Sequence, residues 1–410
     1  SMKICLLTYR GNMYCGGQGI YIYYLSRELQ RLGHEVHVIS GPPYPQVVEG
    51  VKLHKLKSHS VLVSGHGATN HVGPIHNAID LCEFTATSMG VYTEPFAFSM
   101  RAYHEIKRLA PDITFDVIHD NQCLGYGLTM LKRLKLPLVA TIHHPISIDR
   151  AADFEQALSR MERLRRRWFY SFYVPMQSSV ARRVDRVITV SECSAREIER
   201  LIGIPQSRMT VIYNGVDTNL FRNHNGTAKE PKSIIFVGNT EDRKKGIIHL
   251  LQAIRIIKDE CPVKLTIVDG GAPRTAYAPS LVREYGLHNQ VTVVHRLSGE
   301  ELVQHYATAE IAAVPSLFEG FGFPAAEAMA CELPVITTKA GALPELVSDG
   351  DNGILIDAGD VPALAAAIKR LLEDEELRRK MGLAGRAIAE RKFNWEQAAK
   401  QTLEVYQQAQ

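Results

Sequence analysis

The chain has 410 residues, too many for one ordinary core, so two domains are expected. With 45% hydrophobic and 22% charged residues it reads as a globular protein, and a formal net charge of +3 gives no reason to invoke nucleic acid as a partner. The seven cysteines are scattered without a C-x-x-C pair, which fits a reducing, cytoplasmic setting, and no apolar run approaches the ~20 residues of a membrane span.

In chain order, Lys3-Ile4-Cys5-Leu6-Leu7-Thr8-Tyr9 reads as a buried first strand, not as a signal peptide. A glycine-rich turn with Gly16 and Gly17 follows. Ile22, Leu25, Leu29 and Leu32 then recur at helical spacing until Gly33 ends the run. Glu35 to Ser40 is the second strand. This order opens a parallel α/β domain, and the amides of such a turn suit a diphosphate, although an ordinary βα turn would look the same. The turn lacks G-x-G-x-x-G with a following acidic ribose ligand, which argues against a dinucleotide oxidoreductase.

Residues 58–100 show no clean period and are expected to be irregular, with a helix over 101–109. Residues 115–120 and 138–144 are the next strands, and His143 and His144 close the second. Adjacent strand residues point to opposite faces, so one of them, His143, is assigned to the ligand side. Residues 160–186 carry eight arginines against Glu162 and Asp185, interleaved with Trp168, Phe169, Tyr170, Phe172 and Tyr173. That composition suits peripheral contact with an anionic inner membrane face, and equally a helix that packs its aromatics and solvates its arginines. Residues 182–191 read as another strand, followed by a helix capped by Ser191 or Ser194 with Glu197 placed for a capping box.

A short strand and turn over 209–217 and a polar linker over 223–233 precede a second β/α array. Its strands are expected at 233–238, 263–269, 291–294, 311–314, 334–337 and 353–356, and two helices lie within 361–390. The domains are therefore placed at 1–215 and 216–390, with a closing helical segment at 391–410.

Three cations, Arg243, Lys244 and Lys245, follow the first strand of the second array, where an α/β sheet binds ligands. Cations there neutralise a departing diphosphate, although a solvated basic turn has the same composition. In Ser316-Leu317-Phe318-Glu319-Gly320-Phe321-Gly322-Phe323-Pro324-Ala325-Ala326-Glu327, two carboxylates stand among glycines, aromatics and a proline suited to a first helical turn. The loop amides and helix dipole favour an anion, Glu327 can accept from a ribose diol, and Glu319 can hold sugar hydroxyls. A glutamate in so apolar a stretch is costly unless partnered.

These motifs together resemble retaining glycosyltransferases of family 4, with the GT-B fold. The resemblance rests on Glu319 to Glu327 followed by Glu332-Leu333-Pro334-Val335-Ile336, and on Gly16-Gly17 with Leu32-Gly33-His34-Glu35-Val36. Val190-Ser191-Glu192, Tyr213-Asn214-Gly215-Val216-Asp217, Gly341 to Glu345, Asp349 to Gly353 and Phe393-Asn394-Trp395 complete it. It implies two Rossmann-like domains facing across a cleft, the donor nucleotide held mainly by the second, and a last helix crossing back to the first. It also implies that Lys245 holds the donor diphosphate and Glu327 the ribose. Glu319 and the amides of Gly320, Phe321, Gly322 and Phe323 would meet the transferred sugar and phosphate. His143 would stand at the sugar's reacting face, Gly16 and Gly17 at the diphosphate, and Arg296 and Leu297 at the base. Many relatives carry an arginine where this chain has Asn239, which leaves either Arg243 or Lys244 to supply the second positive charge or the reaction to proceed with a weaker charge clamp. The implied reaction moves a hexose with retention from a UDP- or GDP-sugar to a hydroxyl of a small-molecule, saccharide or lipid acceptor. It needs no metal and no cofactor, the nucleotide-sugar being a co-substrate. The alternative is a non-catalytic nucleotide-sugar-binding regulator of the same fold.

Overall fold

A computed structural model describes residues 1–15, 17–61, 73–224, 227–271 and 276–410. The chain divides into two compact units: Ser1–Met13, Gly17–Ile212 and Glu396–Gln410 form the first, Tyr14–Gly16 and Tyr213–Trp395 the second.

The first unit begins with β1 (Lys3–Thr8), α1 (Gln18–Arg31), β2 (Glu35–Ser40) and β3 (Lys52–Lys55). The stretch expected to be irregular instead contains α2 (Ala78–Ser88), and α3 (Glu94–Leu109) starts well before residue 101. Asn77 caps α2 by accepting from the Asp80 amide, and Pro95 sits in the first turn of α3, where a missing N–H costs nothing. The helical period of α2 was hidden because apolar Leu81 and Met89 face solvent.

Then come β4 (Val117–Asn121), α4 (Gly127–Lys132), β5 (Leu138–Ile142), α5 (Ile146–Glu155), α6 (Arg160–Tyr170), α7 (Tyr173–Ala181), β6 (Arg186–Thr189), α8 (Glu192–Ile202) and β7 (Met209–Val211). Residues 182–185, expected in a strand, close α7 instead; sheet pairing starts only where Arg186 meets Val139. Ser191 caps α8 by accepting from the Ser194 amide, so Glu197 lies outside the box and pairs with Arg200. All seven strands run parallel in the order β3-β2-β1-β4-β5-β6-β7. Ile4 to Leu7 and every residue of β4 and β5 are buried, as strands covered by helices on both faces must be.

The second unit contains β8 (Ser233–Gly238), α9 (Ile247–Ile257), β9 (Lys264–Asp269), α10 (Tyr277–Glu284), β10 (Val291–His295), α11 (Gly299–Thr308), β11 (Ile311–Val314) and α12 (Phe323–Ala330). It continues with β12 (Val335–Thr338), α13 (Leu343–Leu346), β13 (Gly353–Ile356), α14 (Val361–Glu373) and α15 (Glu375–Lys392). Six parallel strands follow the order β10-β9-β8-β11-β12-β13. The last helix, α16 (Trp395–Ala409), belongs from Glu396 onward to the first unit, where Tyr406 is buried and bonds His119 on β4 at 2.6 Å. Both units are Rossmann-like. Each sheet reverses its order once, at β1/β4 and at β8/β11, and ligands of such sheets bind in the crevice at those carboxyl ends.

Candidate active site

In the second unit the reversal point is spanned by an ion pair. After β8 the chain turns through Asn239 into a 3-10 turn, Arg243–Lys245. Lys245 Nζ donates to Glu319 Oε1 at 2.8 Å, and Ser316 Oγ donates to the same oxygen at 2.9 Å. The loops that follow β8 and β11 are thus tied together, and the Leu317 amide adds a bond to the Lys244 carbonyl at 2.6 Å. Gly246, with φ +73°, lets them approach, since a Cβ there would collide with the Pro315 carbonyl oxygen. Burial works against the Lys245 ammonium, but Glu319 and Asp242 outweigh it and hold its pKa above the ordinary value.

The other two cations are engaged differently. Arg243 lies 4.6 Å over the Tyr277 ring, and Lys244 sits beside Asp242, with Nζ 3.5 Å from Oδ2. Asn239 Oδ1 accepts from the Glu241 amide at 3.1 Å, so this side chain shapes the turn.

Helix α12 starts after Gly322, whose φ is +101°. Phe321 is buried against Phe323 and Phe393, which withdraws its side chain from the loop surface, while Phe323 stays half-buried. Glu327 is only 5% exposed, and the Tyr306 hydroxyl on α11 donates to its Oε2 at 2.9 Å. Burial pushes the Glu327 carboxyl up to about 8. The Cys15 thiol is pushed up to about 12, by burial and then by Glu327 and Asp269, with Lys245 opposing, so all three charges act on one point.

Arg296, at φ +49°, follows β10. Its Nε donates to the Gly271 carbonyl at 3.2 Å and its guanidinium lies 5.8 Å from the Tyr14 ring centroid, while its buried Nη2 has no partner among the described residues. Leu297 follows, half-buried.

In the first unit Gly17 caps α1, and Gly16 lies outside the described residues. His143 stands just beyond β5, half-buried, with Nε2 2.7 Å from Asn121 Oδ1. Its amide donates to Gln122 Oε1 at 2.6 Å and its carbonyl accepts from Ser194 Oγ at 2.7 Å. Burial, with a smaller push from His144, lowers its pKa to about 3, so the ring is neutral. His144 turns to Asp149, 2.9 Å away. The sequence reading missed Asn121, Gln122, Ser316 and Tyr306. Polar residues at or just past the ends of β4 and β11 were a usable signal for the first three; Tyr306 offered none.

On α6 and just before it, Leu158, Met161, Leu164 and Trp168 are 90, 76, 67 and 51% exposed, and Arg160, Arg163, Arg165 and Arg167 are exposed beside them. Phe169, Phe172 and Tyr173 pack into the first unit's core. Among the described residues no helix is long and apolar enough to cross a membrane.

The glycosyltransferase family 4 model matches residues 15–220. An MMP alpha-(1->4)-mannosyltransferase of Mycolicibacterium hassiacum is 39% identical over 411 residues, covering all of this chain and 98% of that one. The chain belongs to glycosyltransferase family 4. The model for glycosyl transferases group 1 matches residues 217–388 of this glycosyltransferase. A D-inositol 3-phosphate glycosyltransferase of Xylanimonas cellulosilytica is 29% identical, covering 96% of this chain and 92% of that one. Among solved structures, a sucrose-phosphate synthase from Thermosynechococcus elongatus superposes with a TM-score of 0.78 at 25% identity, covering 100% and 99% of the two chains. The two Rossmann-like domains of this family 4 enzyme are thus those of a GT-B glycosyltransferase.

Proposed function

We propose that this glycosyltransferase moves a mannosyl residue, with retention, from a UDP- or GDP-linked donor to a hydroxyl of a saccharide acceptor. The observation that carries the reading is the Lys245–Glu319 pair across the β8/β11 crevice, with a buried Glu327 on the helix that follows. The choice of mannose and of a saccharide rests on the full-length likeness to the mannosyltransferase.

In this reading the bond from the sugar C1 to the diphosphate oxygen breaks, and Lys245 stabilises the negative charge that develops there. The acceptor oxygen bonds to C1 from the face the diphosphate leaves. Its proton passes to a phosphate oxygen, so no protein base is required. The amides of Gly320 to Phe323 and the start of α12 face the phosphate, Glu319 holds sugar hydroxyls, and Glu327 accepts from the ribose. Asn239 supports the turn; Arg243 and Lys244 add long-range positive potential. No metal or cofactor takes part.

A calorimetric panel of UDP, GDP and ADP with their sugars tests the donor, and NMR of the anomeric product tests retention. Tight binding of GDP-mannose or UDP-mannose and an α-linked product are expected; an inverted product, or no preference for any mannose donor, overturns the reading. The exposed apolar row of α6, flanked by arginines, further supports peripheral docking on an anionic lipid surface. Replacing Arg163, Arg165 and Arg167 together should weaken sedimentation with anionic vesicles, and equal binding by both proteins excludes that contact.

A further inference from the structure

Asn121, at the carboxyl end of β4, is fully buried beside the β1/β4 reversal point. Its Nδ2 reaches Thr8 Oγ1 and the Gln18 carbonyl oxygen, each at 3.4 Å. The carbonyl can only accept. The Thr8 hydroxyl donates its proton to the Arg10 carbonyl at 2.6 Å, so towards Asn121 it accepts as well. Turning the amide over would set its oxygen against two acceptors and strand its NH2. Oδ1 therefore faces His143.

An oxygen acceptor 2.7 Å from Nε2 requires the proton on that nitrogen. Because burial keeps the ring neutral, it holds one proton, and Nδ1 carries a bare lone pair. The edge-on Tyr21 ring, 5.0 Å between centroids at 90°, restrains its rotation. The backbone of His143 is already taken by Gln122 and Ser194. Among the described residues the hydrogen bonds of His143 leave Nδ1 unused.

We propose that Asn121 is a positioning residue that holds His143 as its Nε2–H tautomer, so that Nδ1 is presented as a hydrogen-bond acceptor to a substrate hydroxyl. The substrate half rests on the transferase reading above; the tautomer does not. The titratable groups facing the ring are His144 beside it, His119 on β4 and Tyr21 on α1, and none of them is altered in the test.

Imidazole nitrogen NMR on the full-length protein with 15N-histidine, assigned through the signal lost in His143→Gln, reads the tautomer directly. At pH 7 the Nε2–H pattern is expected; an Nδ1–H or doubly protonated ring overturns the proposal. Asn121→Ala should mix the two tautomers and lower kcat/KM about tenfold. Asn121→Asp keeps the acceptor at Nε2, so it should restore the tautomer, although its second oxygen then meets the Gln18 carbonyl and the Thr8 hydroxyl oxygen and should lower stability; its charge moves the acid limb of the pH–rate profile upward. A merely structural role would leave that limb in place. An unchanged tautomer or wild-type kcat/KM in Asn121→Ala also overturns the proposal. If the protein transfers no sugar from any nucleotide donor, the transferase reading fails, and the spectrum still decides the tautomer.

Discussion

Lys245 and Glu327 carry charge in opposite balance. The Lys245 ammonium is reinforced by Glu319 at 2.8 Å, so it stays charged at any working pH. If Lys245 acts as proposed, at the leaving group, Lys245→Ala should lower turnover by roughly a hundredfold or more and weaken nucleoside diphosphate binding in calorimetry. Glu327 is pushed the other way, up to about 8, so its acid form prevails at neutral pH in the empty site. In the proposed role a ribose diol donates to the Glu327 carboxylate, so donor affinity should rise as pH climbs through about 8. Glu327→Gln should flatten that rise; an equally steep pH dependence in the variant would remove Glu327 from the ribose. The titratable neighbours that also act there are Tyr306, Cys15 and Cys331.

At the scale of elements, the site depends on how closely two loops approach at the β8/β11 reversal. Gly246→Ala requires a positive φ from a residue with a Cβ and pushes that Cβ into the Pro315 carbonyl. It should cost more than ~1 kcal/mol in denaturant unfolding and lower turnover as well, since Lys245 is the adjacent residue. In the first unit α16 is joined to the sheet by Tyr406, whose hydroxyl meets His119 Nδ1 while Nε2 meets Thr141. Tyr406→Phe leaves a buried ring nitrogen unpaired and should destabilise by about 1–3 kcal/mol without loss of packing volume. A stability equal to wild type would show that water replaces the phenol.

For the whole molecule, four buried groups set opposing slopes of stability against pH. Burial lowers His119 and His143 to about 3 each, so folding favours their neutral forms, and their contribution is lost as pH falls from about 6.5. Burial raises Asp120 to about 7 and Glu327 to about 8, so folding favours their protonated forms, and stability declines as pH rises from the ordinary carboxylate range up to those values. The two trends oppose each other between the ordinary carboxylate and histidine values. Denaturation midpoints should therefore peak below neutral pH, and Glu327→Gln should lessen the alkaline decline.

Much of this was legible in the residues. Continuous apolar runs such as Ile4 to Leu7 announce parallel strands covered on both faces, and helical spacing in Ile22 to Leu32 announces the helix between. Glu319 and Glu327 stood out because a carboxylate in apolar company must find a partner. Those partners could not be read: Tyr306 lies 21 positions from Glu327 and Lys245 lies 74 from Glu319, and only packing brings them together. The same holds for α2, whose period was blurred by exposed Leu81 and by exposed Met89 just past its end, and for His143. Local order put two histidines at the end of β5. The assignment of protons on that ring was decided by Asn121, by a Thr8 hydroxyl already committed to Arg10, and by the Gln18 carbonyl, groups that meet only where β1, β4 and α1 converge. Period and composition act between neighbours in the chain, whereas hydrogen-bond direction and pKa depend on what is near in space.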